Sequence, residues 1–309
     1  MLVVIVGPTA VGKTAVSIEV ARRLGGEVLT ADSMQVYRLM NIGTAKPGVL
    51  ERRGVPHHLI DLVYPDEPFS VAQYQKMALD KIDEVLSRGR MPLLSGGTGL
   101  YVKSVLDGYD FIPVAPDHDL RKELLGKEDT EEGSLYKWLR EVDATAADKI
   151  HRNDLRRVVR ALEVYMQTGR PISERWVKSQ LPYRVEVFGL TAARDILYGW
   201  IEKRVHSQIQ QGLIEEVSRL AEMGYTKELP SMQGLGYKEV FPFLESRATL
   251  DETIKLIMKN TRNFAKRQFT WFRRDSRIKW IDVGKINGAA LAADQISASL
   301  EGTGTSSDE

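Results

Sequence analysis

The stretch Leu2-Val-Val-Ile-Val-Gly-Pro-Thr-Ala-Val-Gly-Lys-Thr14 decides the fold of this 309-residue chain. Its five apolar residues, Leu2 to Val6, are typical of a strand that is buried on both faces. Gly7 to Thr14 match the pattern G-x-x-x-x-G-K-[ST], and apolar residues then recur at helical spacing as far as Gly25-Gly26. Strand, glycine loop and helix in this order predict an α/β fold with a phosphate-binding loop after its first strand.

The glycine loop also predicts how the phosphate is held. Backbone N–H groups of the loop and of the following helix N-terminus point at an anion, and Lys13 adds a positive charge. The hydroxyl of Thr14 can ligate a Mg²⁺ ion that bridges phosphate oxygens. The pattern does not say which compound carries the phosphate. We expect the site to comprise Gly7, Pro8, Thr9, Ala10, Val11, Gly12, Lys13 and Thr14.

Composition excludes several classes of protein. The chain is 43% hydrophobic and 28% charged, without an apolar run of membrane length, which is typical of a soluble globular protein. The N-terminal apolar run lacks the basic residues that open a signal peptide. With no cysteine, disulfides and thiolate metal sites are excluded. We therefore expect a cytoplasmic protein without a membrane partner.

The charge is unevenly distributed although the net charge is only +1. Residues 255–279 contain nine Lys or Arg and one acid, Asp275, with aromatic residues interspersed. Basic residues mixed with aromatic ones suit a nucleic-acid backbone and stacked bases. A solvated helix face with aromatic residues in the core would give the same pattern. Both interpretations stay open on composition alone.

Strand and helix signals alternate over residues 1–110, which predicts a mostly parallel sheet flanked by helices. The predicted strands cover residues 2–6, 27–31, 58–62 and 92–95. Residues from about 116 to 180 have a charged, helical pattern, and a strand follows within 181–190. A long helix over 195–223 and basic helices near 251–273 complete the pattern. We predict a P-loop core (1–115 and 191–300), an all-helical insertion domain (116–190) and a disordered tail (301–309).

Three further positions are candidates for chemistry near the phosphates. Asp32 follows the second strand and Thr98 lies in a Gly-Gly-Thr-Gly turn after the fourth, so both face the crevice at the carboxyl ends of the strands. Asp32 could serve as Mg²⁺ ligand, general base or helix N-cap. Arg204, beside the apolar stripe of the long helix, could clamp an anion or extend along the surface.

Eight motifs occur in register over about 270 residues: GPTAVGKT, DSMQVY, NIGTAKP, PHHLID, GGTGLY, RALEVY-x-x-TG-x-P, GYKE and TRNFAKRQFTWFRR. Together they resemble the bacterial tRNA dimethylallyltransferase family, also called tRNA isopentenyltransferases. The resemblance implies transfer of a dimethylallyl group from dimethylallyl diphosphate to N6 of the adenine 3′ of the anticodon, with release of pyrophosphate. The loop would then hold a prenyl diphosphate with Mg²⁺.

The resemblance also implies residue roles. Asp32 matches the general base, Arg204 the clamp on the leaving pyrophosphate, and Thr98 a substrate contact beside the reacting centre. The adenine must leave its stack to reach this crevice. In the family the insertion grips the anticodon stem-loop. We expect a monomer, because the basic surfaces are reserved for RNA. The implied tRNA contacts are Asp32, Ser33, Met34, Gln35, Thr98, Arg121, Arg156, Arg157, Arg160, Gly236, Tyr237, Lys238, Arg262, Lys266, Arg267 and Gln268.

Two positions depart from the family pattern. Val11 replaces a serine of the loop, which removes one hydroxyl but no backbone donor. Leu155 and Arg156 replace the proline and glutamine of the usual NDPQR, so the glutamine's base contact is lost, although Arg156 can still reach a phosphate. The alternatives to prenyl transfer are a P-loop small-molecule kinase that uses ATP and a non-catalytic RNA-binding protein.

Overall fold

The computed structural model describes residues 1–111, 114–176, 181–286 and 288–301. The chain divides into two compact units, Met1–Val105 with Pro182–Glu309 and Leu106–Leu181. We call them the core unit and the helical unit. Of the tail predicted to be disordered (301–309), residues 302–309 lie outside the described residues. Glu301 is the last residue of a helix.

A six-stranded sheet forms the centre of the core unit, and every pairing between its strands is parallel. The strands are β1 (Leu2–Val6), β2 (Gly26–Thr30), β3 (His57–His58), β4 (Met91–Gly96), β5 (Val185–Thr191) and β6 (Ile278–Asp282). Their order across the sheet is β3-β2-β4-β1-β5-β6. All five residues of β1 are buried, as expected for an apolar strand with covered faces. The predicted α/β fold with a parallel sheet is confirmed.

The described residues contain twelve α-helices, of which α4 to α7 belong to the helical unit. In chain order they are α1 (Lys13–Leu24), α2 (Val71–Ser87), α3 (Gly99–Leu106), α4 (His118–Thr130), α5 (Ser134–Val142), α6 (Ala144–Lys149), α7 (Leu155–Thr168), α8 (Arg194–Gln210), α9 (Leu213–Glu222), α10 (Phe241–Leu244), α11 (Leu250–Phe272) and α12 (Ala289–Glu301). Local sequence sets several of their starts. The hydroxyl of Thr249 accepts from the backbone N–H of Glu252, whose carboxylate accepts from that of Thr249, so a capping box starts α11.

The structure corrects four sequence-based expectations. In place of the strand predicted over 58–62 the structure has a two-residue strand, His57–His58. The helix predicted over 195–223 is two helices, Arg194–Gln210 and Leu213–Glu222, with Gly212 as N-cap of the second. Strand β6 was not predicted. The helical unit spans 106–181 instead of 116–190, because the strand at the end of the predicted insertion is β5 and pairs with β1 and β6.

The helical unit has its own apolar core and one buried carboxylate. Leu124, Leu135, Leu139 and Leu162 are among the buried residues of α4, α5 and α7 that form this core. Glu163, fully buried on α7, accepts two hydrogen bonds of 2.8 Å from Arg121 and one of 2.5 Å from Arg160. The network joins α4 to α7, since Arg121 is on α4 and Arg160 on α7.

Hydrogen bonding controls the ionisation of Glu163. Burial raises its pKa, but the bonds from Arg121, Arg160 and the backbone N–H of Asp117 outweigh burial and lower it to about 2. A carboxylate with a lowered pKa stabilises the fold fully above its unfolded pKa of about 4.5, and this contribution is lost as the pH falls towards 2.

No helix among the described residues is long and apolar enough to cross a membrane.

We predict that Glu163→Gln lowers the free energy of unfolding of the helical unit by about 3 kcal/mol at pH 7, because two arginines lose a buried counter-charge. The variant should also show a flatter stability profile between pH 4.5 and 2. Urea titration with hydrogen exchange of α4 and α7 peptides measures both. Glu123→Gln, which removes an exposed pair with Lys127 on the same unit, is the control. Equal effects of the two substitutions would contradict the prediction.

Candidate active site

Three loops meet at one edge of the sheet because the strands before them are neighbours. β4 lies between β1 and β2, with Ser95 in register with both Ile5 and Thr30. The loops that follow are Gly7–Gly12, the segment from Ala31 and the turn at Gly97. The backbone N–H of Thr98 donates to the carbonyl of Ala31 at 3.1 Å, which ties two of these loops together. The crevice expected from parallel topology is therefore formed by these three loops.

Lys13, the first residue of α1, points back over the glycine loop. Its Nζ donates to the carbonyl of Pro8 at 2.8 Å. Burial lowers the pKa of Lys13 to about 7; nearby Asp32 opposes that shift, and the positive charge of Arg204 adds to it. Asp32 therefore offsets only part of the cost of burying the charged ammonium. A bound anion would stabilise the charged form of Lys13 further.

Arg204 and Asp32 share this electrostatic environment. Arg204 projects from α8, and burial lowers its pKa while Asp32 opposes the change. Lys13 and Arg204 therefore both lie close enough to the carboxylate of Asp32 for an electrostatic interaction. The cluster holds two positive groups and one negative group, which suits an anionic ligand placed beside a group able to accept a proton.

The carboxylate of Asp32 and the hydroxyl of Thr98 organise the segment after β2. Oδ1 of Asp32 accepts from the backbone N–H of Met34 at 2.9 Å. Residues 33–36 form a turn and not a helix, so Asp32 is not the helix N-cap that was one of its alternatives. Oγ1 of Thr98 accepts from the backbone N–H of Ser33 at 2.9 Å. Asp32 and Thr98 are therefore held at the crevice by hydrogen bonds to adjacent backbone groups.

Gln268 of α11 connects the glycine loop to the turn at Gly97. Its Oε1 accepts from the backbone N–H of Thr9 at 2.8 Å, and its Nε2 donates to the carbonyl of Gly97 at 2.9 Å. A side chain at Gly97 would overlap that Nε2 and would lie 3.5 Å from Nζ of Lys13. Gln268 is buried, so the structure places it between two loops of the protein.

A pair of aromatic side chains lies near Asp32 that the sequence did not single out. Tyr74 and Tyr101 stack with ring centroids 3.8 Å apart, and the hydroxyl of Tyr74 donates to the carbonyl of Thr30 at 3.1 Å. Burial, with a smaller contribution from Asp32, raises the pKa of both phenols. Tyr74 follows the apolar spacing of α2, so no sequence signal separated it from an ordinary core residue.

The other predicted tRNA contacts divide into exposed and buried residues. Arg156, Arg157, Lys238, Lys266 and Arg267 are exposed. Arg121 and Arg160 pair with Glu163, as described above, and Arg262 pairs with Glu202 and stands over the ring of Tyr198. Gln35 and Tyr237 are buried, and the side chain of Tyr237 is 0% exposed. A direct contact between RNA and the Tyr237 ring is therefore not available in this structure.

The basic and aromatic stretch has both buried and exposed side chains. Phe272 is buried in the core, whereas Trp271 is 39% exposed. The indole of Trp271 covers Gly99, directly after Thr98, and Nζ of Lys103 stands 6.0 Å from the ring centroid. One face of α11 is therefore packed in the core. The adjacent face carries exposed cations and the indole of Trp271, which lies beside the crevice.

Comparison with known proteins identifies the family. The family model described as IPP transferase matches residues 35–275. The chain belongs to the IPP transferase family. It is 53% identical over 289 residues to the tRNA dimethylallyltransferase of Carboxydothermus hydrogenoformans, covering 92% of each chain. It is 51% identical over 305 residues to the enzyme of the same name from Desulforudis audaxviator, covering 97% of each.

Solved structures of IPP transferase family members share the fold. The full-length tRNA isopentenylpyrophosphate transferase from Bacillus halodurans is 43% identical, with a TM-score of 0.72 and 97% of each chain covered. A eukaryotic dimethylallyltransferase acting on tRNA is 28% identical, with a TM-score of 0.83, covering 97% of this chain and 78% of that one. The resemblance inferred from the eight motifs is confirmed at the level of the family.

We predict that Gln268→Leu weakens binding of pyrophosphate about tenfold or more, because two loop contacts, each worth about 1 kcal/mol, are lost together. Isothermal titration calorimetry measures the affinity. Asn263→Leu, an exposed amide on the same helix, is the matched control and should bind as the unmodified protein does. Equal affinity of the two variants would show that the Gln268 bridge does not organise the loop.

We predict that binding of pyrophosphate above pH 7 is coupled to proton uptake by Lys13. A pKa of about 7 leaves this side chain largely neutral at pH 8, and a bound anion restores its charge. Calorimetry in buffers of different ionisation enthalpy measures the uptake. Lys13→Arg, always protonated, should show less uptake at pH 8 and no difference at pH 6. Identical uptake by both proteins at pH 8 would contradict the assignment.

Proposed function

We propose that this IPP transferase transfers a dimethylallyl group from dimethylallyl diphosphate to N6 of the adenine 3′ of the anticodon in tRNA. The observation that carries the proposal is the grouping of Lys13, Arg204 and Asp32 at the carboxyl edge of the sheet. This edge combines an anion site with a proton acceptor, and the curated relatives carry the name tRNA dimethylallyltransferase. We further propose that the protein acts as a monomer in the cytoplasm.

The glycine loop would bind the diphosphate of the donor. When the bond between C1 of the dimethylallyl group and the diphosphate oxygen breaks, its electron pair leaves with pyrophosphate. The growing negative charge would be met by the loop N–H groups, Lys13 and Arg204, which are fixed before the reaction starts. Preorganised donors of this kind stabilise a leaving group without reorganisation. Val11 is buried, so its apolar side chain packs inside the protein.

Mg²⁺ would complete the diphosphate site. Among the described residues no group of three or more His, Cys, Asp or Glu side chains is arranged to hold a metal ion. Mg²⁺ commonly binds substrate phosphates with few protein ligands, and Thr14 is exposed at the start of α1, so the residues fit this use. Thr14 would hold the ion, which supplies charge neutralisation of the pyrophosphate.

Asp32 would accept the proton that N6 of adenine loses when it attacks C1. Its Oδ1 is fixed by the N–H of Met34, which leaves Oδ2 to accept from the amine. Thr98 would contact the substrate next to it, and the segment Ser33 to Gln35 would hold the extruded nucleotide. The proton moves from N6 to the carboxylate, the new N–C bond replaces the C–O bond, and charge balances.

The RNA would be held by exposed cations. Lys238, Lys266 and Arg267 on the core unit, and Arg156 and Arg157 on the helical unit, are exposed and suit phosphate contacts. Arg121 and Arg160 already share the charge of Glu163 and would contribute less. Exposed Trp271 offers a stacking surface beside Thr98. We propose that the helical unit, residues 106–181, is the part that grips the anticodon stem-loop.

We predict that Asp32→Asn lowers the rate of prenyl transfer by about 10² to 10⁴, the usual contribution of a general base, with little change in RNA affinity. The assay combines prenyl-labelled dimethylallyl diphosphate, unmodified tRNA and Mg²⁺ without ATP. Asp66→Asn, an exposed carboxylate of the same unit, is the control. Label absent from a competent tRNA with the unmodified protein would contradict the function. A fully active Asp32→Asn protein would contradict only the role of Asp32.

A further inference from the structure

A buried carboxylate on α9 lies outside the cluster of Lys13, Arg204 and Asp32. Glu216 is only 2% exposed, and its carboxylate accepts hydrogen bonds from three consecutive backbone N–H groups. Oε2 accepts from Asn41 at 3.0 Å and Ile42 at 2.9 Å, and Oε1 accepts from Gly43 at 3.1 Å. Successive N–H groups that converge on one anion form a concave binding site, here filled by a side chain of the same protein.

Tyr237 and Gln208 hold the same turn from two other elements. The hydroxyl of Tyr237 donates to Oε1 of Glu216 at 2.6 Å, and its ring lies so close to Gly43 that any side chain there would overlap it. Nε2 of Gln208 donates to the carbonyls of Ile42 at 2.8 Å and Gly43 at 2.9 Å. Both the donors and the acceptors of the turn are therefore engaged by buried side chains.

The last two residues of the turn, Thr44 and Ala45, hold the side chain of Gln35. Nε2 of Gln35 donates to the carbonyls of Thr44 at 3.2 Å and Ala45 at 3.4 Å. Only an NH₂ group can donate to two carbonyls, so the amide orientation of Gln35 is fixed and Oε1 remains an acceptor. Lys46 continues the network, since its Nζ donates to the carbonyl of Tyr37 at 2.7 Å. The segment after Asp32 thus depends on the turn, and the turn depends on Glu216.

Energetics favour a carboxylate in this position. A buried charge is costly unless hydrogen bonds satisfy it, and bonds to a charged acceptor are about twice as strong as neutral ones. Glu216 receives three N–H groups and a phenol, and Lys46 lies close enough for the two charges to interact. An amide could accept at one atom only, and its NH₂ group would face backbone N–H groups.

We propose that Glu216 is a positioning residue for the target nucleotide. It fixes the turn 41–45 against which Gln35 is held, so the segment 32–35 is in place before the adenine enters. Tyr237 serves the same purpose from inside the protein and does not contact RNA with its ring. The inference rests on the proposed function, because it assigns the nucleotide to the segment 32–35.

We predict that Glu216→Gln lowers kcat/KM for an anticodon stem-loop about tenfold or more, the effect of about 1.4 kcal/mol. KM for dimethylallyl diphosphate should stay within about twofold, because the partners described for the turn are Gln35, Glu216, Gln208 and Tyr237, none of which belongs to the glycine loop. A second readout uses 2-aminopurine at the target position, whose fluorescence reports extrusion without the donor. Extrusion should fall in Glu216→Gln and, by a smaller factor, in Tyr237→Phe, which keeps the carboxylate and its three N–H donors.

Two controls separate positioning from general destabilisation. Glu222→Gln lies on the exposed side of the same helix, where its carboxylate accepts from Ser218, and should behave as the unmodified protein does. If Glu216→Gln does not fold, Tyr237→Phe carries the test. Unchanged stem-loop kinetics and extrusion in the folded variants would overturn the inference, as would parallel losses for stem-loop and donor. An unmodified protein that extrudes the base but transfers no prenyl group would contradict the proposed function alone.

Discussion

The parallel pairing of β1, β4 and β2 is the constraint on which the candidate site depends. Three strands that run the same way end at the same edge, so the loops after them meet although 90 residues separate the first from the last. Gln268 then bridges the first loop to the third. The hydrogen bonds between the strands fix the strand ends, and the loops begin at these fixed points. We therefore expect the loops to need little ordering when a ligand binds.

The charges at this edge of the sheet are only partly balanced within the protein. Burial disfavours the ammonium of Lys13 and the guanidinium of Arg204, and Asp32 offsets only part of that cost. Groups with perturbed pKa values are concentrated at functional sites, which makes this cluster the candidate site of the chain. Two other buried carboxylates have their partners within the protein: Glu163 accepts from two arginines, and Glu216 accepts from three backbone N–H groups and a phenol.

The predicted RNA contacts show how far sequence position determines the role of a residue. Lys238 and Tyr237 are adjacent in the same motif, yet the first is exposed and the second is fully buried against Glu216. Arg121 and Arg156 were both expected to reach RNA, but only Arg156 is exposed while Arg121 pairs with a buried carboxylate. Which face a side chain occupies follows from long-range packing, and no local pattern reports it.

The sequence by itself determined the strand, glycine loop and helix of residues 2–24, the parallel α/β class and, through its eight motifs, the family. These depend on local chemistry: an apolar run, glycine geometry and helical spacing. Only the tertiary structure decided the order of the strands, the addition of β6, the break at Gly212 and the partners of Gln268 and Glu216. Gln268 and Glu216 contact residues that lie more than 100 positions away in the sequence, and the strand order pairs segments that are distant along the chain. A single sequence therefore identified the residues of the candidate site, and the fold decided which of them meet.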